Sequence, residues 1–322
     1  MQAALNIIGD ELKLVEQQFR KDLESDVPLI RKVGEYVLSS GGKRVRPALL
    51  LLAAKLCGYQ GDKAVPLASV IEFIHTATLL HDDVVDSATL RRGIASANTL
   101  WGNEASVLVG DFLFSKSFSL MVGVGSFDIL RVLSGATTII AEGEVMQLLS
   151  TGELDLTEER YIGVVRAKTA ILMSAACEAG AILGAVPADR QKAMADFGME
   201  LGIAFQLMDD LLDYTATEEE FGKSIGHDLE EGKITLPLIH TLRQCTAEER
   251  SVIEVVVEKD EMSLDEFREV SGLVKRYGGI EYTVEAARRY IAASQGRLDL
   301  FAPSPLRDAL TKLADYVVTR SR

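Results

Sequence analysis

The chain has 322 residues and a formal net charge of −14, because 48 acidic side chains outnumber 34 basic ones. That acidity excludes a protein that wraps nucleic acid with a broad basic surface. Hydrophobic residues make up 48% of the chain and aromatic residues only 6%, so the core is mainly aliphatic, which favours helix-on-helix packing.

Apolar residues recur at helical spacing over almost the whole chain, and no stretch alternates long enough to require a half-buried strand. The sequence predicts breaks between helices at Ser39–Gly42, Gly58–Asp62, Ser87–Asn98, Gly123–Ser126, Ser150–Thr157 and Thr215–Lys233. Pro47 suits the first turn of one helix, and Thr157 stands at the start of another. No change in composition marks a second domain, so we predict one all-α domain over residues 1–322.

The three cysteines, Cys57, Cys177 and Cys245, lie far apart, and none belongs to a CxxC pair. This pattern argues against a disulfide framework and a zinc site, and it fits a reducing cytoplasm. The N-terminus has no basic segment followed by an apolar run and a cleavage site. The apolar stretch Ala48–Ala54 is too short to cross a bilayer, so we expect no transmembrane segment.

Two DDxxD motifs carry the strongest chemical signal, and they consist of Asp82, Asp83 and Asp86, and of Asp209, Asp210 and Asp213. The first and last aspartates of each motif are four residues apart and therefore share one helix face. A solvated acidic face is the plain alternative, but apolar residues bracket both motifs, and like charges at this spacing destabilise a helix. We therefore expect a compensating cation, and Mg²⁺ is a hard ion that binds carboxylates together with substrate phosphates.

Basic residues near predicted helix ends provide the partners that a phosphate needs. The segment Gly41–Pro47 places Lys43 and Arg46 beside a helix N-terminus, which is a natural anion site. Other basic or hydroxyl residues follow the motifs along the chain: Arg91, Arg92, Lys168, Thr169, Lys223 and Lys233. Each alone is more often a solvated charge, but their order around two acidic motifs indicates two diphosphate sites.

The stretch from Gly41 to about Pro237 resembles the trans-isoprenyl diphosphate synthase family through the segments GGKRVRP, HTATLLHDDVVDSATLRRG, AKT, FQLMDDLLD and GKSIGHDLEEGKITLP. The resemblance implies a bundle of long antiparallel helices around a deep central cavity, assembled as a homodimer. It implies a cytoplasmic prenyltransferase that condenses isopentenyl diphosphate with an allylic diphosphate such as farnesyl diphosphate. Although we expect no transmembrane segment, a long apolar substrate or product could still bring the protein into transient contact with a membrane surface.

The resemblance further implies roles for individual residues. Several Mg²⁺ ions, with Mn²⁺ as a substitute, would be held by Asp82, Asp86 and Asp209 with support from Asp83 and Asp213. The allylic diphosphate would contact Arg91, Lys168 and Lys223. Isopentenyl diphosphate would contact Lys43, Arg46, His75 and Arg92. The developing cation would face Thr169 and Gln206, and Lys233 would help to close a loop over the site.

The role of His75 is less certain from its position alone, because a lone histidine on an apolar helix is more often an ordinary core residue. It lies two helical turns before Asp82 and therefore shares that face of the helix. The family places a diphosphate-binding glutamine or histidine at this position, which favours a functional role. The basic residues Arg320 and Arg322 at the C-terminus either fold over the isopentenyl diphosphate site or remain a solvated end.

Product length is predicted from the helix that ends in the first motif. Ala77 and Thr78 are small, whereas family members that make short products place a bulky aromatic residue there as a floor. Ile74 lies one helical turn further from Asp82 than Ala77 and Thr78 do, and a turn of about 5.4 Å is similar in length to one isoprene unit. We therefore expect a long product, octaprenyl within a range from heptaprenyl to decaprenyl. The candidates for a deeper floor are Met146, Leu148 and Leu149, although an ordinary core role is the better interpretation for any single one of them.

Other interpretations remain open. The chain could be a shorter-chain geranylgeranyl or farnesyl diphosphate synthase, or the catalytic subunit of a heteromeric synthase. A terpene cyclase is disfavoured, because cyclases usually carry a mixed Asn/Ser/Glu second motif and do not need an isopentenyl diphosphate site. A regulatory subunit typically loses an aspartate motif, and both are intact here. A helical scaffold with ion-binding faces is the remaining alternative.

Overall fold

The computed structural model describes residues 6–215, 226–259 and 261–319. Its helices are α1 (Gly9–Asp22), α2 (Pro28–Ser39), α3 (Val45–Leu56), α4 (Ala64–Val85), α5 (Ala97–Trp101), α6 (Asn103–Val124), α7 (Phe127–Ser150), α8 (Glu158–Val165), α9 (Ile171–Leu183), α10 (Ala188–Tyr214), α11 (His227–Glu230), α12 (Leu236–Leu242), α13 (Ala247–Val257), α14 (Leu264–Arg276), α15 (Gly279–Arg297) and α16 (Pro305–Thr319). One antiparallel hairpin of β1 (Leu90–Arg91) and β2 (Ile94–Ala95) is the only sheet in these described ranges. The predicted all-α class is confirmed.

The helix boundaries follow local chemistry. Pro47 lies in the first turn of α3, which begins after Gly41 and Gly42 adopt positive φ angles of 89° and 148°. Thr157 caps α8, since its hydroxyl accepts the backbone N–H of Arg160 at 3.3 Å. The prediction of an irregular stretch over Thr215–Lys233 is wrong in part, because α11 forms after Gly226, whose φ is 79°.

The helices group into two compact units. The first consists of Met1–Thr138, Leu172–Gly198 and Arg297–Leu313, and the second of Ile139–Ile171, Met199–Gly296 and Ala314–Arg322. The first unit contains the GGKRVRP segment and the DDxxD motif of α4, and the second contains the AKT segment and the DDxxD motif of α10. Each unit thus has an acidic motif and basic residues of its own.

Helix α4 is central to the first unit. It packs mainly against α6, and also against α1 and α3. Its side chains Phe73, Ala77 and Leu80 join an apolar cluster with buried residues of α1, α2, α5 and α6. The rings of Phe19 and Phe73 lie 4.3 Å apart between centroids. This packing fixes the end of α4 that carries Asp82.

In the second unit, glycines allow two helices to approach the AKT segment closely. Residues Arg166–Ala170 form a π-helical turn between α8 and α9, a feature that is frequent at functional sites. A Cβ on Gly202 of α10 would lie 2.5 Å from the Cα of Ala170, and one on Gly143 of α7 would lie 2.8 Å from the backbone nitrogen of Lys168. The π-helical turn is therefore held by backbone contact with α7 and α10.

Among the residues that the structure describes, two helices, α4 and α6, are long and apolar enough to cross a membrane by length and composition alone. The expectation that the chain has no transmembrane segment was based on the short stretch Ala48–Ala54 and did not consider these two helices. Of the most apolar window, 61% is buried inside the protein in α4 and 33% in α6. Core helices of water-soluble proteins pass the same test, so this finding is weak evidence for a membrane span.

Candidate active site

The first acidic motif lies at the C-terminal end of α4, where the helix dipole is negative. Asp82 and Asp86 are half-buried, and the backbone N–H of Asp86 donates to the carbonyl oxygen of Asp82 at 2.8 Å. Two carboxylates at i and i+4 on a negative helix end repel each other, and a cation would relieve this repulsion. The described residues contain no ready-made cluster of three or more metal-ligating side chains. The end of α4 therefore presents two carboxylates, and Mg²⁺ is an ion that binds one or two carboxylates together with phosphates and water.

Asp83, the middle residue of this motif, has a different environment. It is only 2% exposed, and Nε and Nη2 of Arg91 both donate to its Oδ1 at 2.6 Å. Burial nevertheless raises the pKa of Asp83, against the lowering effect of Arg91. The structure therefore pairs two residues that the sequence assigned separately, one to metal support and the other to the allylic diphosphate.

The β1–β2 hairpin returns to the end of α4 and makes that pairing possible. The carbonyl oxygen of Asp83 accepts the backbone N–H of Ala88 at 2.9 Å and the side-chain amide of Asn98 at 3.1 Å. Ser96 donates its hydroxyl to the carbonyl oxygen of Ala88 at 2.6 Å. These bonds fix the hairpin against the helix, and Arg91 on β1 consequently faces the first motif.

The predicted isopentenyl diphosphate residues form a basic cluster in the first unit. Nη1 of Arg46 lies 3.2 Å from Nε2 of His75. A Cβ on Gly42 would lie 3.0 Å from Nη1 of Arg92, so this guanidinium rests on the GGKRVRP loop, which also carries half-buried Lys43. The structure thus brings Arg46 and His75 into contact and places Arg92 against the same loop.

His75 is neutral in this setting. Burial and the positive charges of the neighbouring arginines hold its pKa well below the usual range. Because a guanidinium only donates, Nε2 of His75 must accept from Arg46, and the remaining proton must reside on Nδ1. A neutral histidine with an N–H donor beside arginines is suited to bind an oxyanion.

Two structural residues of this cluster were not identified from the sequence. Glu72 is 4% exposed, and burial raises its pKa against the charges of Arg44, Arg46 and Arg92. Arg44 has a φ of 48° and donates to the carbonyl oxygen of Leu38 at 2.8 Å and to Glu72 at 3.5 Å. Arg44 is therefore committed to the fold, whereas Arg46 and Arg92 belong to the basic cluster around His75.

His81 connects α4 to α6 beside the first motif. Its Nε2 donates to the carbonyl oxygen of Val107 at 3.1 Å and lies 3.4 Å from a carboxylate oxygen of Asp111. A Cβ on Gly110 would lie 2.3 Å from the same nitrogen, so any side chain there would have to displace the imidazole. This contact helps to fix the turn of α4 that presents Asp82.

In the second unit, Asp209 is half-buried, whereas Asp210 and Asp213 are 4% and 9% exposed. Both oxygens of Asp213 accept backbone N–H groups, from Gly226 at 2.8 Å and from Asp228 at 3.1 Å. Burial and the charge of Asp228 raise the pKa values of Asp210 and Asp213. The second motif is thus more enclosed than the first, and a third carboxylate approaches it.

Thr169 and Gln206, both assigned to the cation, are in direct contact. The hydroxyl of Thr169 donates to Oε1 of Gln206 at 2.9 Å, and Nε2 of Gln206 donates to Oδ1 of Asp210 at 2.7 Å. The hydroxyl of Tyr161 donates to the other oxygen of Asp210. The structure therefore connects the AKT segment, the second motif and Tyr161 through hydrogen bonds.

Of the three lysines assigned to the second half of the chain, two are described. Lys168 donates to Glu144 of α7 at 2.7 Å, and Lys233 pairs with Glu231. Lys223 lies outside the described residues, as do Arg320 and Arg322 at the C-terminus. Lys168 is consequently held by a carboxylate beside the π-helical turn.

The residues predicted to set product length differ in their surroundings. Ala77 is fully buried in the apolar cluster of α4, Ile74 is also fully buried, and Thr78 is half-buried. Leu148 and Leu149 are 64% and 74% exposed in the single chain. These two are therefore not the enclosed floor that the sequence suggested, because they lie on the solvent side of α7.

Some of the missed residues carried a signal in the sequence. Tyr161 precedes Lys168 by two helical turns, the spacing that identified His75 from Asp82. Asp228 lies inside the segment GKSIGHDLEEGKITLP, and Glu72 is an isolated charge in a very apolar helix. The partner of each residue depends on tertiary contacts and could not be read from the chain.

Comparison with known proteins identifies the family to which this all-α chain with two aspartate motifs belongs. The family model described as polyprenyl synthetase matches residues 27–274. The chain is 43% identical to octaprenyl diphosphate synthase of Escherichia coli (strain K12), over 99% of this chain and 97% of that protein. The chain therefore belongs to the polyprenyl synthetase family.

Solved structures agree with this assignment. The crystal structure of a decaprenyl diphosphate synthase from Rhodobacter capsulatus matches with a TM-score of 0.94 and 43% identity, over 99% of this chain and 98% of that one. A polyprenyl synthase from Caulobacter crescentus CB15, complexed with calcium and isoprenyl diphosphate, matches with a TM-score of 0.95 and 40% identity, over 100% and 98% of the two chains.

Proposed function

We propose that the chain is a Mg²⁺-dependent trans-prenyl diphosphate synthase that extends an allylic diphosphate, such as farnesyl diphosphate, with isopentenyl diphosphate to a long-chain product. The observation that carries the proposal is the pair of DDxxD helix ends, each in a unit that also supplies basic residues. The similarity to octaprenyl and decaprenyl diphosphate synthases supports a long product, with octaprenyl diphosphate as the best candidate.

Isopentenyl diphosphate has its best-supported site in the first unit. Arg46 and Arg92 lie beside neutral His75, with Lys43 in the same loop region. Guanidinium groups and an Nδ1–H donor match the oxygens of a diphosphate in charge and hydrogen-bond sense. Buried Glu72 offsets part of the mutual repulsion of the arginines, so the cluster is assembled before substrate arrives.

The allylic diphosphate must lose its C–O bond to give a cation, and the described residues fit the demands of that step. The donor sets of Asp82, Asp86 and Asp209 fit Mg²⁺, which when bound stabilises the negative charge of the departing diphosphate. Lys168, fixed beside Glu144, provides a further positive charge. The oxygens of Thr169 and Gln206 are held together where they suit a developing positive charge.

The direct test is an incubation of the purified chain with Mg²⁺, farnesyl diphosphate and labelled isopentenyl diphosphate, with products separated by length. We expect a ladder that ends near octaprenyl diphosphate and disappears when a chelator is added. A ladder that stops at farnesyl or geranylgeranyl diphosphate would keep the reaction but contradict the long product. No incorporation by the chain alone would favour a heteromeric synthase or a cyclase.

Product length is expected to respond to bulk at Ala77. A graded series of Ala77→Val, Ala77→Leu and Ala77→Phe should shorten the product stepwise, because each larger side chain blocks more of the path along α4. The site is fully buried in an apolar cluster, so thermal unfolding must be measured in parallel, since overpacking costs about 1–3 kcal/mol. An unchanged product distribution in folded Ala77→Phe would contradict a length-setting role.

We also propose that the chain forms a homodimer through α6. This helix is apolar, yet only 33% of its most apolar window is buried in one chain. Leu108 and Val122 are each 66% exposed, and Phe127 just beyond the helix is 88% exposed. Sedimentation velocity should show twice the mass of one chain, and Leu108→Glu should shift the protein towards monomer. A monomer at micromolar concentration in the unmodified protein would contradict the assignment.

We propose a cytoplasmic location for the enzyme. Cys57, Cys177 and Cys245 all carry free thiols, and the first two are buried. Unpaired thiols are typical of a reducing compartment. Release of a long apolar product would then involve transient contact with a membrane surface. Cell fractionation that recovers the chain in the periplasm would contradict this location.

A further inference from the structure

Four side chains of the second unit form one continuous series of hydrogen bonds: Thr169 to Gln206, Gln206 to Asp210, and Tyr161 to Asp210. Tyr161 and Asp210 are 5% and 4% exposed, so this end of the series is sealed from water. The half-buried amide of Gln206 lies between the sealed end and Thr169. None of these bonds involves a residue of the first unit.

Asp210 decides which way the Gln206 amide points. The amide nitrogen of Gln206 donates to Oδ1 of Asp210, and Oδ2 accepts from Tyr161, so both oxygens of Asp210 act as acceptors and the amide oxygen faces away from them. The reversed amide would place its oxygen against an accepting oxygen in a buried position, which is costly. The bond from Thr169 to Oε1 agrees with this orientation.

Tyr161 in turn holds Asp210. Burial and the adjacent carboxylate raise the pKa of Tyr161 well above its ordinary value, so the hydroxyl keeps its proton and donates. With Oδ2 bound to Tyr161, the carboxylate keeps Oδ1 directed at Gln206. Removal of the hydroxyl leaves a buried acceptor without its donor and allows the carboxylate to rotate.

We propose that Tyr161 is a positioning residue for prenyl transfer, which acts through Asp210 to keep the oxygen of the Gln206 amide directed at the developing allylic cation. The inference rests on the proposed function, in which Gln206 and Thr169 face the reacting carbon. An amide oxygen stabilises a nearby positive charge, whereas an amide NH₂ group destabilises it. Asp210 is accordingly a positioning residue as well, unlike the half-buried Asp209 beside it.

The test compares single-turnover rates of farnesyl diphosphate consumption in the unmodified chain, Tyr161→Phe, Gln206→Leu and the double variant. We expect Tyr161→Phe to lower the rate about tenfold to a hundredfold, with the KM of both substrates and the Mg²⁺ requirement unchanged. In the Gln206→Leu background, the same substitution should change the rate less than about twofold, because the amide through which it acts is absent.

Tyr282→Phe is the matched control. The hydroxyl of Tyr282 donates to Glu158 at 2.8 Å, which is also a phenol–carboxylate bond in the second unit but outside the four-residue series. Its removal should leave the rate unchanged. If Tyr161→Phe fails to fold, Asp210→Asn provides the test, since it replaces one accepting oxygen by an amide group while it preserves the side-chain size. It should slow the single turnover at an unchanged Mg²⁺ requirement.

Three results would overturn the inference. The first is that the folded Tyr161→Phe variant reacts at the rate of the unmodified chain, or that Tyr161→Phe lowers the rate by the same factor whether residue 206 is glutamine or leucine. The second is a raised Mg²⁺ requirement in Asp210→Asn, which would place Asp210 at the metal. The third is an unmodified rate in Gln206→Leu, which would remove this amide from the reaction. Failure of the unmodified chain to transfer a prenyl group would instead be the failure of the proposed function.

Discussion

Asp82→Asn should lower kcat for prenyl transfer about a thousandfold and raise the Mg²⁺ concentration needed for half-maximal activity. Asparagine has nearly the same size and keeps one oxygen, so the change isolates the negative charge at the end of α4. Steady-state kinetics at varied Mg²⁺ concentration measure both effects, and chemical denaturation checks that the variant is folded.

Asp128→Asn is the matched control for that substitution. Asp128 is an exposed aspartate in the first turn of α7, in the first unit, and it pairs with Arg131. Its replacement should leave the rate unchanged and destabilise the protein by about 1 kcal/mol or less, because it removes an exposed ion pair and a negative charge at a positive helix end. If Asp82→Asn keeps more than about a tenth of the activity, the metal role of Asp82 is wrong.

Gly202→Ala should destabilise the protein by about 1–3 kcal/mol and lower kcat about a hundredfold. The added methyl group would lie 2.5 Å from the Cα of Ala170 and 2.8 Å from its Cβ, and a backbone atom cannot move aside as a flexible side chain does. Relief of this clash has to displace the π-helical turn that carries Lys168 and Thr169. Denaturant unfolding and single-turnover kinetics should therefore change together.

Gly272→Ala provides a control for which the expected change in stability has the opposite sign. Gly272 lies in the interior of α14, in the same unit, with nothing within 4 Å of the position of a Cβ. Alanine there should stabilise the protein by about 0.5–1 kcal/mol through its higher helix propensity and leave the rate unchanged. Equal stability of Gly202→Ala and the unmodified chain would show that the close approach to Ala170 is not restrictive.

The sequence predicts those features of the fold that depend on local chemistry. Pro47 after two glycines predicts the start of α3, and the spacing of four residues in each DDxxD motif predicts carboxylates on one helix face. The all-α class follows from aliphatic periodicity. These inferences succeed because the energies involved act over a few residues along one helix or turn.

Features that depend on the return of a distant segment were not predictable. Arg91 reaches Asp83 only because the β1–β2 hairpin folds back, and Arg46 meets His75 across 29 residues. The π-helical turn has no local sequence signal, since its neighbours Gly143 and Gly202 come from two other helices. The surroundings of Leu148 and Leu149 were not predictable either. Apolar periodicity identifies one face of a helix as apolar, but it does not show what covers that face.

The burial of Asp83 against Arg91 has a consequence for how DDxxD sequences are compared. The three aspartates of the first motif are not equivalent, because the middle one neutralises an arginine eight residues later, whereas the outer two remain half-buried. In related sequences, the middle aspartate should therefore be compared together with the residue at the position of Arg91. The motif is then best treated as two half-buried carboxylates and one buried ion pair.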